Sequence, residues 1–129
     1  MSGELKPRFE VRLHEKALRE YERLDGSVGR LVNKKLEELE YRAGEIGKPL
    51  KGNLAGLREV KLKDAGIRII YEITCEIVDI LRVVSVLTIG PRADGEAFKT
   101  AGTRADILKT MNRSAINEYL KGLRQWRRK

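Results

Sequence analysis

Between Leu57 and Ile89 apolar and polar residues alternate with a period of two, and short breaks divide the run into strands. Leu57 to Leu62 turns Val60 and Leu62 one way and Glu59 and Lys61 the other. Lys63-Asp64-Ala65-Gly66 then reads as a hairpin turn, with Gly66 suited to a positive φ. From Ile67 to Thr74, Ile67, Ile69, Tyr71 and Ile73 share one face, and Arg68, Ile70, Glu72 and Thr74 the other. Thr74-Cys75-Glu76 reads as a second turn. Ile77 to Ile89 is the longest and most apolar stretch, hence a central strand, ended by Gly90-Pro91. A chain that carries such a meander must cover its apolar face with helices.

Helices are legible on both sides of it. Arg8 to Leu13 alternates as a short strand, and from His14 the period changes. Ala17, Leu18, Tyr21 and Leu24 form a helical stripe, with His14 a partly exposed residue at the helix start. Asp25-Gly26 breaks the chain and Ser27 is placed to cap a second helix. Its stripe, Val28, Leu31, Val32, Leu36 and Leu39, runs to about Arg42, so the pair forms an αα-hairpin. Gly44 to Gly56, with four glycines and Pro49, reads as a loop. Ala105 to Arg128 reads as helix in two pieces, the second capped by Ser114 and carrying Tyr119, Leu120, Leu123 and Trp126. The predicted order is β-α-α-β-β-β-α, an α+β domain with a helical hairpin packed on a largely antiparallel twisted sheet. Residues 1–100 form the expected domain and 101–129 a basic helical extension.

Composition removes several kinds of chemistry. The 129 residues include one histidine and one cysteine, which leaves out a Cys-rich zinc site and an intrachain disulfide. No apolar run approaches the roughly 18 residues of a membrane span. The N-terminal residues carry no apolar signal core, so a cytoplasmic protein with no membrane partner is expected. The net charge is +8, of which residues 99–129 carry +7, from nine Lys/Arg against two Asp/Glu. A basic field gathered at one end suits a polyanion, nucleic acid above all. It equally suits a solvated helix that buries Leu120, Leu123 and Trp126 on its own domain.

A hairpin turning at Asp64-Ala65 sets Lys61 opposite Arg68, on the face away from Ile67 and Ile69. Like charges directly opposite destabilise a sheet, so they are either neutralised or used. Glu59 and Glu72 stand on the same face and can make a salt-bridge ladder. Alternatively the cations, with Arg92 beyond Gly90-Pro91, suit a phosphodiester, whose transition state gathers negative charge. RNA brings its own nucleophile, the 2′-OH, so such a site needs neither histidine, cysteine nor metal.

The stretch "KPLKGNLAGLREVKLKDAGIRIIYEI", followed by a hydrophobic strand and "IGPR", resembles the RelE/ParE superfamily of bacterial type II toxins. The preceding "FEVRLHEKALREYERL" and "VNKKLEELE" fit the family's strand and helical hairpin, so the likeness spans about residues 8 to 100. It implies an mRNA interferase, an endoribonuclease that cuts messages with the help of the ribosome, needs no cofactor and is held by a cognate antitoxin. Carried across residue by residue, it makes Lys61 the base on the 2′-OH, Arg68 the stabiliser of the phosphate and Arg92 the acid at the leaving 5′ oxygen. Two positions depart from RelE: Glu59 stands in place of a lysine, and Phe98 in place of a tyrosine. Phe98 can stack on a base but cannot move a proton, and core packing is its other reading. Lys63, Arg104, Arg124 and Trp126 are the further candidates for RNA contacts. The rival implications are a ParE-type poison of DNA gyrase and an inactive nucleic-acid-binding relative. Oligomeric state and sequence preference are not legible.

Overall fold

A computed structural model describes residues 6–78, 81–91 and 96–126. One six-stranded sheet carries the fold, in the spatial order β2-β3-β4-β5-β1-β6. Its strands are β1 (Phe9–Leu13), β2 (Lys48–Pro49), β3 (Arg58–Leu62), β4 (Ile67–Val78), β5 (Leu81–Pro91) and β6 (Arg124–Gln125). The helices are α1 (Glu15–Glu22), α2 (Gly26–Ile46), α3 (Glu96–Lys109) and α4 (Arg113–Gly122). β1 runs parallel to β5, and every other pairing is antiparallel. The expected α+β class and helical hairpin are therefore present, and two short edge strands extend the sheet.

β5 sits between β4 and β1 and is buried continuously from Val83 to Gly90. Such a run, apolar on both faces, requires cover on both. On one face Val32, Leu36 and Leu39 of α2 and Ala17 and Tyr21 of α1 pack on Val60, Ile69, Tyr71, Val84 and Val86. On the other, Ala97, Ala101 and Ala105 of α3 lie on Leu57, Ile70 and Leu87. Small residues at every fourth position bring this helix close: a Cβ on Gly90 would stand 3.5 Å from that of Ala97. Tyr71 is fully buried and donates a 2.6 Å hydrogen bond from its hydroxyl to the Ala43 carbonyl. Its ring lies where any side chain on Gly47 would project.

Several boundaries differ from expectation for local reasons. Asp25, not Ser27, caps α2, because its carboxylate accepts from the Val28 amide at 2.9 Å while the Ser27 hydroxyl donates to the same oxygen. α2 runs to Ile46, and non-helical angles at Arg42 kink it where the sequence pattern ended. Leu31 falls outside its buried stripe and is 44% exposed. The Gly44–Gly56 segment is not all loop: it holds the last turn of α2, β2 and a 3-10 turn at Gly52–Leu54. Thr74-Cys75-Glu76 is not a turn. β4 continues through it to Val78, and its register against β5 shifts between Ile73 and Ile77. A bulge carries the extra residues, so Ile77 and Val78 belong to β4 and β5 starts at Leu81. α3 starts at Glu96 rather than Ala105, and Asn112 rather than Ser114 caps α4, its side chain accepting from the Ala115 amide.

The C-terminal segment is part of the same body. α3 crosses the expected boundary at residue 100, with Ala101 fully buried. α4 ends at Gly122, so Leu123 and Trp126 are not on a helix. β6 joins the sheet beside β1, and the Trp126 amide donates to the Val11 carbonyl at 2.8 Å. Arg12 donates to the Leu120 and Leu123 carbonyls at 3.1 and 3.2 Å, a cation placed at the negative end of α4. Among the described residues no helix is long and apolar enough to cross a membrane.

Candidate functional site

The hairpin register is the one anticipated: Lys61 pairs with Arg68, Leu62 with Ile67 and Val60 with Ile69. The 3-10 turn Lys63–Ala65 closes it, and Gly66 takes the left-handed conformation with φ 66°. On β5 the neighbour of Arg68 is Gly90, which leaves room above the strand for α3.

Glu59 and Arg68 do not stand at the surface as part of a ladder, although Lys61 does. Glu59 is 5% exposed and Arg68 8%, because α3 covers this face. Arg68 Nε lies 2.8 Å from Glu59 Oε2, and Lys61 Nζ lies 3.7 Å from Glu59 Oε1. One carboxylate thus faces two cations. The Arg68–Glu59 contact is a close ion pair without a directed hydrogen bond along it. Above it the Arg68 guanidinium carbon stands 3.9 Å from the centre of the Phe98 ring. Phe98 is half-buried and packs against the α3 core cluster, so both its readings meet in one side chain: it packs, and it presents a ring to the arginine. Lys61 is the exposed edge of the cluster, its side chain 36% accessible. With Lys63 it lines a cavity of about 280 Å³ at the turn.

Chemically, the hairpin gathers two cations on one carboxylate, with an aromatic ring over the arginine. Arg68 offers a planar fork and Lys61 a point charge, which together suit a phosphate oxygen.

No family model matches the chain. A curated putative RelE-like toxin protein from Escherichia coli is 25% identical over 97 residues, 75% of this chain and 97% of the relative. A mutant of E. coli toxin RelE in the free state superposes with TM-score 0.58 and 26% identity, covering 77% of this chain and 98% of that one. A chain of the intact E. coli RelBE toxin–antitoxin complex is 30% identical, with TM-score 0.52 and coverage of 64% and 95%. The chain belongs to the RelE/ParE toxin superfamily.

Within this RelE-like chain the remaining candidates separate. Arg92 lies outside the described residues, as do Arg127 and Arg128, and of Arg124 only the backbone is described, paired with Leu13. Trp126 is 7% exposed and belongs to the main core, so its ring is committed to packing rather than to a base. Arg104 is not a free phosphate contact. It clasps Glu20 of α1 through both terminal nitrogens at 3.1 Å and donates to the Leu87 carbonyl at 2.7 Å. Glu20 also accepts from the Thr88 hydroxyl and the Ile89 amide. This knot ties α1, α3 and β5 together, and periodicity does not reveal it, since Glu20 and Arg104 are 84 positions apart.

His14 serves as the N-cap of α1, accepting from the Lys16 amide through Nδ1. Burial, then the charges of Arg104 and Lys16, hold its imidazole below the ordinary 6.5. It meets Tyr119 of α4 at 6.1 Å between ring centres, and burial pushes the Tyr119 phenol up.

The burial of Glu59 was the residue-level surprise. Its signal lay in Ala97, Phe98 and Ala101, a helical stripe that leads into Ala105, the expected start of the last helix.

Proposed function

We propose that this chain is the toxin of a toxin–antitoxin pair and an endoribonuclease that cleaves mRNA held by the ribosome. The observation that carries the reading is the facing pair Lys61 and Arg68 on one sheet face, with the Phe98 ring against Arg68. In this scheme the 2′-OH of a nucleotide attacks the adjacent phosphorus and the bond to the 5′ oxygen of the next nucleotide breaks. The products carry a 2′,3′-cyclic phosphate and a 5′-OH. Lys61 takes the 2′-OH proton, Arg68 holds the charge that gathers on the phosphorane oxygens, and Arg92 returns a proton to the leaving oxygen. These roles follow the resemblance to RelE. The RelBE complex supports an antitoxin as the partner that holds such a toxin in check.

The test is controlled expression in a bacterial host, with primer extension on several messages during growth arrest. Cuts within translated codons that disappear in the Lys61→Ala/Arg92→Ala variant are the expected result. Arrest without cuts removes the ribonuclease and points to gyrase or another target. Neither arrest nor cuts, from folded protein, makes the chain a disabled relative.

A further inference from the structure

Glu59 stands between the two cations that the ribonuclease reading assigns to the substrate phosphate. Its two oxygens lie 2.8 Å from Arg68 Nε and 3.7 Å from Lys61 Nζ, the two cations offered to RNA. A carboxylate and a phosphodiester each bring one negative charge and a pair of oxygens, and an arginine fork accepts either. The Glu59 side chain is 6% exposed and that of Arg68 9%, so the pair is withdrawn from water. Removing the anion from such a pair with nothing in exchange leaves a buried, uncompensated guanidinium, which is strongly unfavourable. Exchanging one anion for another does not. The Arg68–Glu59 contact is held as a close ion pair rather than by a directed hydrogen bond, the kind of contact another anion can replace.

We propose that Glu59 is an internal competitor for the phosphate site: the resting chain is closed on its own carboxylate, and RNA enters by displacing that carboxylate from Arg68. Lys61 lies against the other Glu59 oxygen and is more exposed, so the displaced carboxylate keeps a cation beside it. The same exchange explains why a like-charged pair persists in the sheet, since Glu59 neutralises it until substrate arrives. Glu59 is thereby a positioning residue that sets how readily the site opens. The proposal deepens the ribonuclease reading and rests on it only for the identity of the anion.

Its test separates the two. The 129-residue chain is titrated with a fluorescein-labelled single-stranded RNA carrying 2′-O-methyl groups throughout, which keeps the phosphates but lacks the nucleophile, at one fixed salt concentration. Asp64→Asn removes the same unit of charge from the exposed turn of the same hairpin and calibrates the general electrostatic effect. Glu59→Gln is expected to bind about tenfold more tightly than the parent, the factor for a site open one-tenth of the time. Asp64→Asn is expected to change binding less than twofold. Inorganic phosphate should compete more strongly with the probe in Glu59→Gln. With a message held in ribosomes as the substrate, the gain should fall on KM, with kcat within about threefold of the parent.

Equal tightening by Glu59→Gln and Asp64→Asn, or weaker binding by Glu59→Gln, overturns the proposal. If Glu59→Gln does not fold by circular dichroism, Glu59→Asp, which keeps the charge and lengthens both contacts, takes its place. Tighter binding than the parent then supports the competitor, and unchanged binding overturns it. Tighter binding by a protein that cuts no message held in ribosomes upholds the exchange and removes the ribonuclease.

Discussion

Two glutamate–arginine pairs lie on this fold, and they are built differently. In the first, Glu20 and Arg104 satisfy each other through two 3.1 Å contacts. Glu20 also receives the Thr88 hydroxyl and the Ile89 amide, and Arg104 reaches the Leu87 carbonyl. In the second, Glu59 is shared between Arg68 and Lys61, is more deeply buried, and lacks a directed hydrogen bond to Arg68. The first joins three elements and has nothing left to offer. The second keeps two cations on one anion, with an aromatic ring above. A polar cluster whose geometry is complete acts as a fastener, and one whose geometry is incomplete is where a ligand improves matters.

The strongest way to break this contrast is Arg68→Ala. It should lower RNA cleavage by about 100- to 1,000-fold, the scale of losing a transition-state donor. It should also destabilise the fold by about 3–5 kcal/mol, because Glu59 is left buried without its arginine. Single-turnover cleavage and urea denaturation read the two effects separately. Arg104→Ala should show the opposite balance: a loss of about 2–3 kcal/mol in stability, with cleavage per folded molecule unchanged. A fall in kcat there would erase the distinction between fastener and site.

Phe98→Ala tests the ring above Arg68. A loss of about 2 kcal/mol in stability is expected from cation–π contact and burial together, while Phe98→Tyr should stay close to the parent. Tyr71→Phe, which leaves the buried Ala43 carbonyl without its donor, should cost about 1 kcal/mol in urea unfolding and leave RNA binding unaltered.

The smallest effect concerns His14, beside the first cluster. Its folded pKa lies below 6.5, so the unfolded chain binds the proton more readily. Stability should therefore fall as pH drops through about 6.5, and level off once the folded imidazole protonates too. His14→Asn retains a helix cap but not the titration, and should flatten this part of the profile of urea midpoint against pH.

How much of this was legible depended on whether the determinant was local. The 61–68 register followed from a turn signal, Asp64 to Gly66, and from alternation on either side of it. The helical hairpin followed from two apolar stripes separated by Asp25-Gly26. The Thr74–Glu76 bulge was misread because polar residues breaking an alternation look alike in a turn and in a bulged strand. Trp126 reads from the sequence as a candidate RNA contact, yet the pairing of β6 with β1 puts it in the core.

By itself, then, the amino-acid sequence determined the alternating strands, the hairpin that sets Lys61 against Arg68, and membership of the RelE-like class. The strands and the hairpin depend on periodicity and turn chemistry within a few residues, and the class on the resemblance of motifs spread over residues 8 to 100. Only the tertiary structure decided that α3 buries Glu59 and Arg68, that Glu20 claims Arg104, and that the basic C-terminal segment packs into the sheet. Those depend on contacts between distant residues, where burial changes what a charge can do: a glutamate exposed to water screens its neighbours weakly, whereas one withdrawn from water holds them.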